Sequence, residues 1–150
     1  MKERMKLESV EPEAYKAVLG LEKYLHCSGL SKTLLELIKI RASQINRCAF
    51  CIDMHTLDAR KNGETEQRIY ALNTWKEAPF FTPEERAVLA FTEAVTLIAE
   101  HSVSDDLYAE VSQYFTPNQI AQILIAIVTI NAWNRIAIAT RLVPGTYRVT

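Results

Sequence analysis

An all-α fold follows from three features of the chain. Four glycines and five prolines in 150 residues are too few for the tight turns of a β-rich domain. Apolar residues recur at helical spacing, as Leu34, Leu37, Ile38, Ala42 and Ile45 do. The segments Thr82-Pro83-Glu84-Glu85 and Thr116-Pro117-Asn118-Gln119 each join a Thr cap, a first-turn Pro and a Glu or Gln three residues after the Thr. That combination satisfies the unpaired N–H groups of a helix start.

The elements follow in order. Pro12 opens a helix that reaches His26 and stops at Cys27-Ser28-Gly29. Ser31 caps a second helix running to about Ile45. Asn46 caps a third, which Lys61-Asn62-Gly63 closes with a cation and a left-handed glycine. A shorter helix fits Thr65 to Trp75, and longer ones fit 83–100 and 117–140, with Ser104 capping another near 105–115. The expectation is one compact domain over 1–150, built from six to seven helices.

In the last helix Ile120, Ile123, Leu124, Ile127 and Val128 form one face, while Ala121, Ile125, Ala126 and Ile130 cover much of the other. A helix apolar nearly all round must be covered nearly all round, and a second copy of the chain is a natural cover. Gln122, Asn131, Asn134 and Arg135 interrupt the same stretch, so it reads as a core or interface helix and not a membrane span.

Seventeen Lys and Arg against eighteen Asp and Glu leave a formal charge of −1. This balance offers no footprint for nucleic acid and no attraction to an anionic membrane. No glycine-rich phosphate loop is present. Three cysteines are too few for a secreted disulfide scaffold, and the first residues lack the apolar stretch of a signal peptide. The expected location is therefore cytoplasmic.

The chemistry concentrates in Cys48-Ala49-Phe50-Cys51-Ile52-Asp53-Met54-His55. On a helix Cys48, Cys51, Ile52, His55 and Ala59 share about a third of the circumference. Cys51 and His55 stand one turn apart, and Cys48 and Cys51 are close enough for a redox disulfide. A helix start favours thiolates, because its dipole and free N–H groups face them. Thiolate, base and resolving thiol on one face suit peroxide reduction or thiol–disulfide exchange. Cys48, Cys51 and His55 also supply three zinc ligands, one short of a structural site, so zinc binding is the competing reading. His26 and His101 are isolated and read as surface or capping residues. Cys27 reads as a small buried hydrophobe.

The run from Glu36 through Cys48, Cys51 and His55 to Arg60, with its E-x11-C-x-x-C-x3-H spacing, resembles the core of the AhpD-like alkylhydroperoxidases within the carboxymuconolactone decarboxylase family. The likeness is dense from about Leu35 to Tyr70 and continues more weakly to Asn131-Ala132-Trp133-Asn134-Arg135. It implies an all-helical, oligomeric enzyme, trimeric or hexameric, that uses neither a metal nor an organic cofactor. It further implies a hydroperoxide substrate and a dithiol electron donor. Cys51 would be the peroxidatic thiolate and Cys48 the resolving thiol, with His55 and Glu36 relaying protons. Phe50 stands where the best-studied members carry a His, and that residue's role is absent here. Two other readings remain: a non-catalytic redox switch or zinc-binding protein, and a cofactor-free lyase of the decarboxylase type, although those lyases lack the C-x-x-C.

Periodicity alone places Glu36 elsewhere. It falls opposite the Leu34–Ile38–Ile45 stripe, beside Lys32, Lys39 and Ser43, as a solvated residue with ion-pair partners on its own helix. If Glu36 is catalytic, that polar row must face the cysteine helix or another subunit. Asp53 and Asp58 lie off the cysteine face and read as solvating charges or partners of Lys61. Arg135 calls for an acidic partner. Phe50, Tyr70, Trp75, Phe80 and Phe81 line either a substrate pocket or the core, the core being the commoner use of such a set.

Overall fold

Eight α-helices, one 3-10 turn and no strand make up residues 2–148, the part that the computed structural model describes. They are α1 (Leu7–Val10), α2 (Pro12–His26), α3 (Lys32–Asn46), α4 (Ala49–Lys61), α5 (Glu66–Ala71), α6 (Pro83–Thr96), α7 (Asp105–Tyr114) and α8 (Pro117–Thr140), with the 3-10 turn at Leu72–Thr74. Both Thr-Pro signals form complete capping boxes, at Thr82 with Glu85 and at Thr116 with Gln119. Ser31, Thr65 and Ser104 accept N–H groups of the helices they precede. α1 is a single turn for which the sequence holds no signal. α6 ends at Thr96, four residues short of expectation, and the expected helix from Thr65 to Trp75 divides into α5 and the 3-10 turn.

α3 runs through the middle of the molecule. Leu34, Leu35 and Ile38 pack with Leu25, Val88, Phe91, Val111, Ile123 and Ile127. Its Leu37 and Ile40 pack with Ala59, Leu72, Trp75, Phe81 and Leu89. Ala42 meets Cys48, Cys51, Ile130 and Ala137. A helix engaged on so many sides cannot leave one face to water, and the polar row Glu36, Lys39 and Ser43 is buried too. Trp75 and Phe81 therefore belong to the core, whereas Tyr70 and Phe80 are exposed; the five aromatics do not form one pocket.

α8 has the length and mean hydropathy of a membrane span, yet it carries three buried polar side chains, Thr129, Asn134 and Thr140, and packs on α2, α3 and α6. Asn134, fully buried, donates to Ser43 Oγ and accepts from Asn46 Nδ2, both at 2.9 Å. Asn46 also donates to Asn131 Oδ1, and Asn131 in turn reaches Thr96 Oγ1. These amides bind α8 to α3 and α6; they do not serve α8 alone. Arg135 is exposed and hydrogen-bonds to the backbone and side chain of Asn131, not to an acid.

Candidate active site at the α3–α4 junction

The turn between α3 and α4 determines where the cysteines sit. Arg47 adopts a left-handed conformation at φ 58°, the Arg47 N–H donates to Gln44 O, and the Cys48 N–H donates to Ser43 O. This is a Schellman stop completed without glycine, a conformation that costs a side-chain-bearing residue about 1 kcal/mol or more. The chain then turns back at once, so Cys48 leaves α3 and caps α4. The Cys51 N–H donates to Cys48 Sγ at 3.3 Å. The cap of α4 is thus Cys48 and not Asn46, whose side chain is drawn into the Asn131–Asn134 network.

Cys48 and Cys51 are joined as a disulfide, with their Cα atoms 5.4 Å apart. Cys27 is free and exposed, contrary to the buried position expected for it. Both paired cysteines are almost wholly buried, with Ala42, Ile130 and Ala137 beneath them and Phe50, Trp133 and Leu142 alongside. His55 follows one turn after Cys51 on the buried face of α4.

Glu36 does not project into solvent. The His55 Nδ1–H donates to Glu36 Oε2 at 2.9 Å, joining α4 to α3. An ionised carboxylate only accepts, so the proton of this bond belongs to Nδ1 and the lone pair of the neutral ring lies on Nε2. Nε2 is buried and has no hydrogen-bond partner among the described residues. Lys39, the expected partner of Glu36 along α3, instead reaches Glu22 of α2 at 2.9 Å. The structure therefore brings Cys48, Cys51, His55 and Glu36 to one junction.

Two further residues stand beside them: Asp58, which by sequence reads as a solvating charge or a partner of Lys61, and Tyr147, which the sequence does not single out. Asp58 is three residues after His55, and Glu36, His55 and Asp58 each offer an atom within 4.8 Å of the others. The Tyr147 hydroxyl, arriving from the segment after α8, donates to Asp58 Oδ1 at 2.8 Å. Burial, this bond and the charges of Asp58 and Glu36 push Tyr147 up to about 12, so it stays a donor at neutral pH. The one-turn spacing of His55 and Asp58 was a readable signal; nothing local pointed to Tyr147. Asp53, also read as a solvating charge, accepts the Gly145 N–H at 2.8 Å. In geometry alone Glu36, His55 and Asp58 could gather round a cation, but Glu36 and Asp58 already accept from His55 and Tyr147, which makes the group a hydrogen-bonded network.

Residues 12–94, which include Glu36, Cys48, Cys51, His55 and Asp58, match the family model described as the carboxymuconolactone decarboxylase family. The chain belongs to that family. Within it the chain is AhpD-like. It is 49% identical over 139 residues to the uncharacterized protein YdfG of Bacillus subtilis (strain 168), a match covering 93% of this chain and 95% of YdfG. It superposes at TM-score 0.94 and 43% identity on a protein of unknown function from Agrobacterium tumefaciens named as a candidate antioxidant defence protein AhpD, covering 97% of this chain and 100% of that one. An uncharacterized peroxidase-related protein from Silicibacter sp. TM1040 matches at TM-score 0.79 and 26% identity, over 91% of this chain and 72% of that one.

Proposed function

We propose that this AhpD-like protein is a thiol-dependent peroxidase that reduces hydroperoxides through Cys51 and Cys48. The carrying observation is His55, fixed by Glu36 through Nδ1 while its buried Nε2 is unpartnered, one turn from Cys51. In the reduced protein Nε2 takes the proton of the Cys51 thiol. The thiolate attacks one peroxide oxygen, the O–O bond breaks, and the departing alkoxide recovers that proton as an alcohol. Cys51 is then a sulfenic acid. Cys48 attacks its sulfur, water leaves, and the two cysteines become the disulfide seen here. Two electrons from a separate dithiol restore the thiols. The apolar shell of Phe50, Trp133 and Leu142 suits an organic hydroperoxide. The AhpD and peroxidase-related names of the two structural relatives favour the same chemistry.

We extend the reading to assembly. Leu124 and Val128 of α8 are 39% and 46% exposed, and covering them would need a second copy; a trimer or hexamer fits the family resemblance. Light scattering is expected to give a mass above the 17.0 kDa of one chain.

The test of activity is cumene hydroperoxide consumption with dithiothreitol as donor. Cys51→Ser is expected to abolish it, and Cys48→Ser to react once and stop as a sulfenate that dimedone traps. A protein that forms the disulfide but does not turn over is a redox switch. A sulfenate that accumulates in Cys51→Ser instead reverses the two roles.

A further inference from the structure

The Glu36–His55 pair does not end the polar chain that leads away from the cysteines. Asp58 stands within 4.8 Å of both, and Tyr147 fastens it from the C-terminal segment at 2.8 Å. We propose that Asp58, held by Tyr147, is a positioning residue for the thiol chemistry: a second carboxylate that stabilises the His55 imidazolium formed when Cys51 loses its proton. This rests on the reading above in taking Cys51 as the attacking sulfur and His55 as its base.

The proton balance is simple. The thiol proton moves from Cys51 Sγ to His55 Nε2 and leaves a thiolate and an imidazolium. Glu36 meets the Nδ1 end of that cation directly. Asp58 adds its charge from the same helix, and the proton later returns to the departing alkoxide. Opposite charges within about 4–6 Å favour the charged form of a group, so the second carboxylate favours the imidazolium and, through it, the thiolate. Tyr147 matters because Asp58 is only partly buried and borders a cleft of about 340 Å³, into which an untethered carboxylate would swing. The other charged or titratable groups facing that cleft are Glu22 and His26 of α2, Lys32 and Lys39 of α3, and Lys61 of α4. Glu22 and Lys39 neutralise each other, and α8 meets the cysteines with apolar Ile130 and Ala137.

The experiment follows the rate of iodoacetamide alkylation against pH in a Cys27→Ser/Cys48→Ser background, where Cys51 is the sole thiol. Asp58→Asn is expected to move the midpoint up by about half to one pH unit. Tyr147→Phe should move it the same way by less. Asp53→Asn removes an equal charge from α4 while its amide oxygen still accepts from the Gly145 N–H, and it should leave the midpoint in place. An unmoved profile in Asp58→Asn overturns the proposal, as does an equal shift in Asp53→Asn. So does an unmoved profile in Tyr147→Phe, since Asp58 would then hold its place unaided. The readout needs no peroxide. A shift in a protein that consumes no hydroperoxide counts against the peroxidase reading alone, and turnover with an unmoved profile counts against this inference alone.

Discussion

Glu36 Oε2 and His55 Nδ1 meet at 2.9 Å across the α3–α4 interface, with both side chains largely withdrawn from water. The contact makes the buried Glu36 an anchor for the imidazole. It fixes the tautomer of the imidazole and aims its proton-accepting nitrogen away from the carboxylate.

Glu36→Gln preserves shape and a hydrogen-bond acceptor but removes the charge that would stabilise an imidazolium. Steady-state peroxide consumption is expected to fall by about a hundredfold, within the range of positioned acid–base groups. The urea midpoint should change little, because the amide carbonyl of the substituted side chain still accepts from Nδ1. Undiminished turnover would remove Glu36 from the relay.

The junction was legible in the sequence in some respects and hidden in others. The C-x-x-C-x3-H spacing put Cys51 and His55 on one helix face, as found, and the structure buries that face. The partner of His55 was not readable from periodicity. α3 is central, so even its polar row is buried, and an amphipathic reading assumes one solvated face. The register of α4 was also obscured. Arg47 and Arg141 end their helices in left-handed conformations, at φ 58° and 59°, where glycine is the usual signal. Without that glycine, Asn46 resembled a cap and Cys48 a residue inside the helix. Tyr147 lies 89 residues from Asp58, a separation at which only the fold reveals a contact.

The capping role of Cys48 has its own consequence. Its sulfur accepts the Cys51 N–H, so the residue has a structural part beside the redox role proposed for it. Cys48→Ser supplies a strong capping oxygen and should match the reduced parent in urea unfolding. Cys48→Ala leaves that N–H unpaired in a buried turn and should lose about 1 kcal/mol. Equal stability of the two variants would show that the sulfur contributes nothing as a cap.

Asn134 tests the amide network behind the site. It is fully buried and holds Ser43 and Asn46, the residues bracketing the last turn of α3 just before Cys48. Asn134→Ala strips partners from both and opens a void, with an expected loss of about 2–3 kcal/mol in chemical denaturation. Because the network sets the turn that places Cys48, the variant should also slow disulfide formation after peroxide addition, read by intact mass. A stability loss below about 0.5 kcal/mol, the level of an ordinary surface substitution, would mean that water replaces these bonds without cost.

Tyr147 makes a prediction about alkaline pH whose sign is fixed by linkage. Burial, the bond to Asp58 and the nearby charges of Asp58 and Glu36 raise it from the ordinary tyrosine value near 10 to about 12. The folded protein therefore holds this proton more tightly than the unfolded chain does. Between those two values the unfolded chain has lost the proton and the folded one has kept it, so stability falls as pH rises. The contribution is complete below about pH 10 and gone above about pH 12. Tyr15 is also raised, by burial and then by Glu8, so the measurement must be a difference. Urea unfolding of the parent and of Tyr147→Phe across this range should give two curves separated by a constant amount below about pH 10, with the parent then losing ground toward about pH 12. Curves that stay parallel throughout would mean that Tyr147 titrates alike in both states, and that its hydroxyl does not hold Asp58 in solution.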